Sequence, residues 1–391
     1  MVCRIAIIGG GLAGLATAAA LARFGIAADV FEQAPKLGEI GAGINVSPQA
    51  IYALRAIGLG GPLAAIANIA PGVLTRDMNT GATLNYRDQG LAAARFGIGV
   101  HSFHRADLLH ALASGVDPRT IHLGHRLTGL DERPDGVSLN FANGAARDAD
   151  IVIGADGVHS LIRRALYGDD NPTYTGQMVW RALLPGGAVP AEVMAPSGHV
   201  QWLGRGRHFF AYYLRGREVV NVVTQEDTES WVDEGWSIPG DPDAMRLSFP
   251  DPEPLLAALL RRVTQCSKWG LFTRPLTGNW GRGRIALIGD AAHAMLPNAG
   301  QGASQSFEDA YILARWLAEP GDAIEALQNF RRVRIPRVHA VQRISADIVR
   351  TKHTLKTDKA AEVDGIDRMA WIWGYDVTAD WNGSPRVPVF D

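Results

Sequence analysis

The sequence predicts an α/β chain in which a parallel-sheet unit is interrupted by a β-rich insertion, resumes after it, and is closed by long helices. Three observations predict this. Residues 4–32 run apolar strand, glycine turn, helix, strand. Two later apolar strands, at 149–153 and 285–288, each lead into a small-residue turn carrying an aspartate. Between them, residues 174–226 read mainly as strands.

Ile5-Ala6-Ile7-Ile8 is uninterruptedly apolar, as a parallel strand covered on both faces requires. Leu15 to Phe24 is alanine-rich and helical, and Gly25 ends it. Ala28 to Glu32 is a second apolar strand that finishes on an acid. Residues 36–48 are loop-like, with Gly38, Gly41 and Gly43. Helical patterns follow near 49–57 and 105–114, and strands at 120–123, 127–132 and 136–141. In the insertion the strongest strand signals are Phe209–Tyr213 and Val219–Val223. Pro239, Pro242, Pro250, Pro252 and Pro254 mark a loop-rich stretch before a short helix at 255–260. Residues 302–350 read as two long helices broken near Glu319-Pro320-Gly321. The expected division is a first nucleotide-binding part at 1–170, a mainly β domain at 171–275, a second nucleotide-binding part with long helices at 276–350, and a tail at 351–391.

Composition narrows the function classes. Of 391 residues, 47% are hydrophobic and 20% charged, and the net charge is −2, so no nucleic-acid or anionic-membrane partner is expected. The basic run Arg331, Arg332 and Arg334 reads as a helix face. Cys3 and Cys266 form no Cys-x-x-Cys or Cys/His spacing, which fits thiols in a reducing cytoplasm. The histidines show neither His-x-x-x-His nor Glu-x-x-His, so no metal is expected. No apolar stretch approaches the roughly 18 residues of a membrane span, and the apolar run at Ile5–Ile8 is too short for a secretory leader.

Gly9-Gly10-Gly11-Leu12-Ala13-Gly14 matches G-x-G-x-x-G in the right setting, after a strand and opening a helix. Gly9 allows the tight turn, Gly11 lets backbone approach a pyrophosphate, and Gly14 lets helix pack on strand. The helix N-terminus that follows then faces phosphate with unpaired N–H groups, and Leu12 and Ala13 of the turn are expected to bind the cofactor with it. Glu32 is placed to accept hydrogen bonds from a ribose diol. This unit alone is compatible with FAD or NAD. Two further segments add to it: Asp150–Ser160, with Gly154-Ala155-Asp156-Gly157 and then Arg163 and Arg164, and Arg284–His293, ending Gly289-Asp290-Ala291-Ala292-His293. Pro297-Asn298-Ala299-Gly300-Gln301-Gly302 opens a long helix straight after.

These motifs, in order over roughly residues 4–320, resemble those of the single-component flavoprotein aromatic hydroxylases, the group that includes salicylate, hydroxybenzoate and 6-hydroxynicotinate hydroxylases. The resemblance implies a Rossmann-like FAD-binding domain intertwined with a β-sheet substrate domain. It implies NADH or NADPH as reductant, O₂ as co-substrate, and ring hydroxylation through a flavin C4a-hydroperoxide, with or without loss of CO₂. It places Gly289 and Asp290 at the ribityl chain, Asp156 at both FAD and the nicotinamide nucleotide, and Arg105 and Gly43 on the flavin side. The helix start at Pro297, Gly300, Gln301 and Gly302 would face the flavin N1–C2=O edge, where its dipole favours the reduced form.

Such chemistry needs no protein nucleophile. It needs an apolar pocket that positions the ring and excludes water. By resemblance Asn45, Tyr212 and Asn298 lie near the ring. Period-two alternation puts His208, Phe210 and Tyr212 on one face. His208, with an ordinary pKa near 6.5, and Tyr212 are the expected catalytic pair, with Asn45, Phe210 and Asn298 as substrate contacts. The 6-hydroxynicotinate branch is expected to carry histidines where this chain has Asn45 and Asn298. The expected substrate is a small phenolic or hydroxylated aromatic acid. The alternatives are a hydroxylase or epoxidase of a larger natural product, and a flavin-binding sensor without catalysis. A cytoplasmic homodimer fits the long C-terminal helices by analogy. The aromatic stretch Trp371–Asp376 resembles tails of this group and is expected to pack over the helices or a partner subunit.

Overall fold

The computed structural model describes residues 3–38, 42–168, 171–228, 238–354 and 366–383. Gly41, the expected boundary at 170 and much of the 351–391 tail lie outside the described residues.

The fully buried run Ile5–Ile8 becomes an interior strand of a six-stranded sheet. Its order is Gly281–Arg282, Ile285–Leu287, Ile151–Gly154, Ile5–Ile8, Ala28–Phe31, Ile121–His122. Every pairing from Ile285–Leu287 to Ile121–His122 is parallel. Each of the three apolar strands read from the motifs therefore ends on one side of this sheet, which brings its glycine- or aspartate-bearing turn to a shared edge. Helices Leu12–Arg23 and Gly302–Ala318 pack against this sheet, with Leu15, Leu21, Phe307, Ile312 and Leu313 in its core.

The insertion forms an eight-stranded sheet in the order Ile238–Gly240, Cys266–Thr273, Thr173–Pro185, Val219–Asp227, Arg207–Leu214, Gly198–Gly204, Gly72–Asp77, Thr83–Asp88. The hairpin Gly72–Asp77/Thr83–Asp88 comes from within the segment read as nucleotide-binding. Its strands carry Arg76, Asp77, Arg87 and Asp88 and lack the apolar signature that marks interior strands. Residues paired directly across neighbouring strands face the same side. One row is therefore Arg181, Val223, Phe210, Gln201 and Thr75. The next is Asn221, Tyr212, His199, Val73 and Arg87. His208 opposite Gln225 lies on a third.

The expected loop at 36–48 contains a short strand, Gly43–Val46, antiparallel to His101–His104. Residues 120–123, 127–132, 136–141 and 255–260 form the elements read from sequence, as strands Ile121–His122, Leu127–Arg133 and Gly136–Phe141 and helix Pro254–Leu260. The two long helices are Gly302–Ala318 and Ala323–Thr354, the second running through Pro336. They are tied by a buried ion cluster. Arg334 pairs with Glu308 at 2.6 Å and Asp309 at 2.8 Å, and Arg337 pairs with Glu308 at 2.7 Å. Asp309 also holds His293 Nε2 at 2.6 Å and accepts from the Gly289 N–H at 3.1 Å. Burial pushes the Asp309 carboxyl up, but His293 and Arg334 outweigh that and hold it down at about 2. The cluster thus anchors the turn that carries Asp290.

Ile366–Trp373 packs on the long helix. Met369, Ile372 and Trp373 join Val341, Ile344 and Ile348 in one apolar cluster. Arg337 stacks over the Tyr375 ring at 3.8 Å.

Candidate active site

A cavity of about 1130 Å³ lies between the two sheets and runs from the Gly9–Ala13 turn to one face of the large sheet. Its first end is built by glycines with different duties. Gly9 has φ +109°, and a Cβ there would collide with the Ala155 carbonyl. A Cβ at Gly14 would collide with the Gly9 carbonyl oxygen. Gly11 is unlike both: a Cβ there meets no protein atom within 4 Å, although Gly11 lines the cavity. The protein's own packing does not demand glycine at 11, so an occupant of the cavity would. Helix Leu12–Arg23 starts there with no side-chain cap and no acidic residue in its first turn, so its first N–H groups remain available to an anion.

Glu32 lines the same end and is fixed by two backbone donors, Gly10 N–H at 2.6 Å and Ala34 N–H at 2.8 Å, one to each oxygen. Each carboxylate oxygen keeps accepting capacity for a diol. Arg105 begins helix Arg105–Ala113 and faces Asp290 across the cavity; burial lowers its pKa and Asp290 opposes that. Asp156 also lines the wall, but its carboxylate accepts from Ser160 Oγ at 2.6 Å and Ile162 N–H at 3.1 Å, so it first serves to start helix Leu161–Tyr167. Burial raises its pKa.

A second uncapped helix start meets the cavity at Gly302. Pro297–Ala299 forms a single turn, Gly300 takes φ +62°, and the buried Gln301 is locked by Ser47, Gln49 and Gln305. Two helix N-termini and the Arg105 guanidinium therefore converge on one end of the cavity, and these residues fit a dinucleotide carrying a pyrophosphate and a reducible ring. Gly14 and Gly289 do not line the cavity. Gly14 packs helix on strand, and Gly289, at φ +56°, packs against Ala13 and Ser306.

The other end is the large sheet. His208, Phe210 and Tyr212 all line it from one face of their strand, with Asn45 and Asn298 on facing segments. Tyr212 is buried against Gly43, where a Cβ would lie 2.5 Å from the phenol oxygen. Burial raises the Tyr212 pKa, so the phenol stays protonated and acts as a donor. Asn298 Nδ2 donates to Gln225 at 3.0 Å.

Sequence reasoning did not single out several residues in this wall. Arg181 lies beside Phe210 across one strand, stacks over the Trp269 ring at 4.2 Å, and has no carboxylate partner among the described residues. Burial lowers its pKa to about 10. His199 stands opposite Tyr212, and Trp269, Gln201, Met369 and Trp373 also line the wall. The signal for Arg181 was present: a charged residue inside the apolar run Met178–Leu184.

Comparison with known proteins agrees with this geometry. The FAD-binding domain family matches residues 2–344. The chain belongs to this family. As a family member it takes FAD as cofactor and NAD(P)H as reductant, and it is an FAD-dependent monooxygenase of the aromatic hydroxylase group. It is 36% identical over 382 residues to a 3-amino-4-hydroxybenzoate 2-monooxygenase from Streptomyces platensis, covering 95% of this chain and 96% of the relative. It is 35% identical to a 6-hydroxynicotinate 3-monooxygenase from Bordetella bronchiseptica, covering 96% of each. A substrate complex of a salicylate hydroxylase superposes with a TM-score of 0.83 at 27% identity, over 100% of this chain and 99% of the other. No helix among the described residues is long and apolar enough to cross a membrane.

Proposed function

We propose that this FAD-binding chain hydroxylates a small aromatic acid that already carries a ring hydroxyl, using NAD(P)H and O₂. The observation that carries the acid is Arg181, a guanidinium inside the cavity wall with no carboxylate partner among the described residues. Arg181 is only partly covered by protein and lines the cavity; a cation held away from bulk water without a counter-ion is costly, and a ligand carboxylate offsets that cost with charge-assisted hydrogen bonds. The relatives named for hydroxybenzoate, hydroxynicotinate and salicylate substrates support the same class.

FAD, when bound, supplies a ring that takes a hydride from NAD(P)H and delivers reduced flavin to O₂. On this reading Gly9, Gly11, Leu12 and Ala13 receive its pyrophosphate, with Gly14 and Gly289 keeping the turns tight. Glu32 takes the ribose diol, Arg105, Asp156 and Asp290 line the linking chain, and Pro297, Gly300, Gln301 and Gly302, with Gly43 facing them, hold the ring. The substrate ring lies among Phe210, Trp269 and Tyr212, with Tyr212 donating to a ring oxygen and His208 accepting a proton from the hydroxylated product. Asn45 and Asn298 orient ring substituents. Residues 1–170 and 276–350 serve the cofactor, and 171–275, with the hairpin at 72–88, serves the substrate. A cytoplasmic homodimer completes the proposal, supported by the family resemblance and tested by light scattering and cell fractionation.

The test is NAD(P)H consumption by the FAD-loaded protein with hydroxybenzoates and hydroxynicotinates against their carboxamides. Stimulation by the acids and not by the amides supports the reading. Equal stimulation by both, or by neither, refutes it.

A further inference from the structure

His199 is a buried histidine on the substrate wall, and its neighbours fix its hydrogen-bond roles. Its strand, Gly198–Gly204, lies between Arg207–Leu214 and Gly72–Asp77, and it is paired with Tyr212 on one side and Val73 on the other. The ring is wedged edge-on against Phe210 at 5.7 Å and Tyr212 at 5.3 Å, so its plane is fixed. Nε2 lies 3.1 Å from Ser102 Oγ, and Ser102 Oγ donates to Asn45 Oδ1 at 2.6 Å. Asn45 and Ser102 are register partners on the small two-stranded sheet, and Ser102 is wholly buried.

A serine hydroxyl has one proton. Ser102 gives it to an amide oxygen, which has none to return, so the Ser102 oxygen can only accept from His199. Nε2 must therefore carry hydrogen, and in a neutral imidazole Nδ1 is then a bare acceptor. Burial, reinforced by Arg87, pushes the His199 pKa down to about 3, which keeps the ring neutral. No described residue hydrogen-bonds Nδ1, while His199 itself lines the cavity. The surrounding wall is otherwise rich in donors: Arg87, Arg181 and Tyr212.

We propose that His199 is a positioning and specificity residue, whose Nδ1, fixed as an acceptor by the Asn45–Ser102 chain, receives the O–H or N–H of a ring hydroxyl or amino group on the substrate. The inference rests on the aromatic-acid reading and adds which substituent the site requires and which residue reads it. With Arg181 at the carboxylate, two unlike contacts fix the ring in its plane: an anion held by a cation and a donor held by a neutral acceptor. A site that hydrogen-bonds a substrate donor in a buried setting discriminates strongly against the analogue lacking it.

The test is a pair of flavin-perturbation titrations of the FAD-loaded protein, with 3-amino-4-hydroxybenzoate and with benzoate as probes. Wild type is expected to prefer the first by at least about 10-fold. His199→Phe, which keeps an edge-on ring, is expected to remove most of that preference while leaving the benzoate Kd within about 2-fold. Ser102→Ala frees the tautomer and is expected to lower the preference partway, and it serves if the phenylalanine variant folds poorly. Preference that survives in both variants overturns the inference, as does an equal loss of both probes, which would make His199 structural. Wild type binding both probes without preference overturns this inference alone. Wild type binding neither overturns it together with the aromatic-acid reading.

Discussion

Arg181→Met separates a binding residue from a structural one, because the two roles predict opposite changes in stability. Methionine keeps an unbranched chain that reaches the Trp269 face but removes the charge. The fall of the Arg181 pKa from 12.5 to about 10 corresponds to a penalty of about 3 kcal/mol on the charged form. Arg181 has no ion-pair partner among the described residues that would be left stranded. The ligand-free, FAD-loaded variant is therefore expected to be as stable as wild type or up to about 2 kcal/mol more stable, a rise of a few degrees in Tm. Acid binding should move the other way. Removing one member of a buried charge pair costs about 2–5 kcal/mol, or roughly 30- to 5,000-fold in Kd. Thermal melts of the holoenzyme and titrations with the acid that wild type turns over read both quantities. A variant that melts several degrees lower and binds the acid as well as wild type would refute the reasoning.

The glycine turn separates in the same manner. Gly11→Ala should leave the melting of FAD-free protein unchanged and weaken FAD binding at least about 10-fold, whereas Gly14→Ala should destabilise the FAD-free fold by about 2 kcal/mol or more through its collision with Gly9. Asp309, with a folded pKa of about 2 against an ordinary 3.8, is depressed, so its contribution is full above pH 4 and is lost as pH falls through 2. That contribution is about 2 kcal/mol, read by urea melts across this pH range, and it should be absent in Asp309→Asn. Arg334→Met should cost about 3–5 kcal/mol because it strands Glu308 and Asp309 in the core. Arg334→Met and Asp309→Asn should not add, since they remove the same contact.

Much of the nucleotide-binding layer was legible because local pattern and global position coincide there. Ile5–Ile8, Ile151–Gly154 and Ile285–Leu287 are apolar on both faces, and each feeds its motif directly into the shared edge of one parallel sheet. The His208–Tyr212 face was legible from period-two alternation. The hairpin at 72–88 was not: it fell inside the segment assigned to nucleotide binding, and its strands carry charged residues and gain their pairing only when the large sheet is present. Gly43–Val46 was hidden in a glycine-rich stretch with Gly38 and Gly41 before it, and its pairing depends on His101–His104, far away in sequence. His199 could not be read from sequence because its meaning lies in Ser102 and Asn45, which only the fold brings together. Arg181 was readable in principle, as a lone charge inside an apolar strand.

The central claim is that this chain uses reduced flavin to place an oxygen atom from O₂ on a small aromatic acid. The most direct measurement is turnover of FAD-loaded protein with NAD(P)H and a hydroxylated aromatic acid under isotopically heavy dioxygen, with product mass and NAD(P)H loss followed together. The account predicts one heavy oxygen atom in the product for each NAD(P)H consumed, with loss of CO₂ in the same spectrum marking decarboxylative hydroxylation. NAD(P)H loss that yields only hydrogen peroxide with every such acid would contradict it.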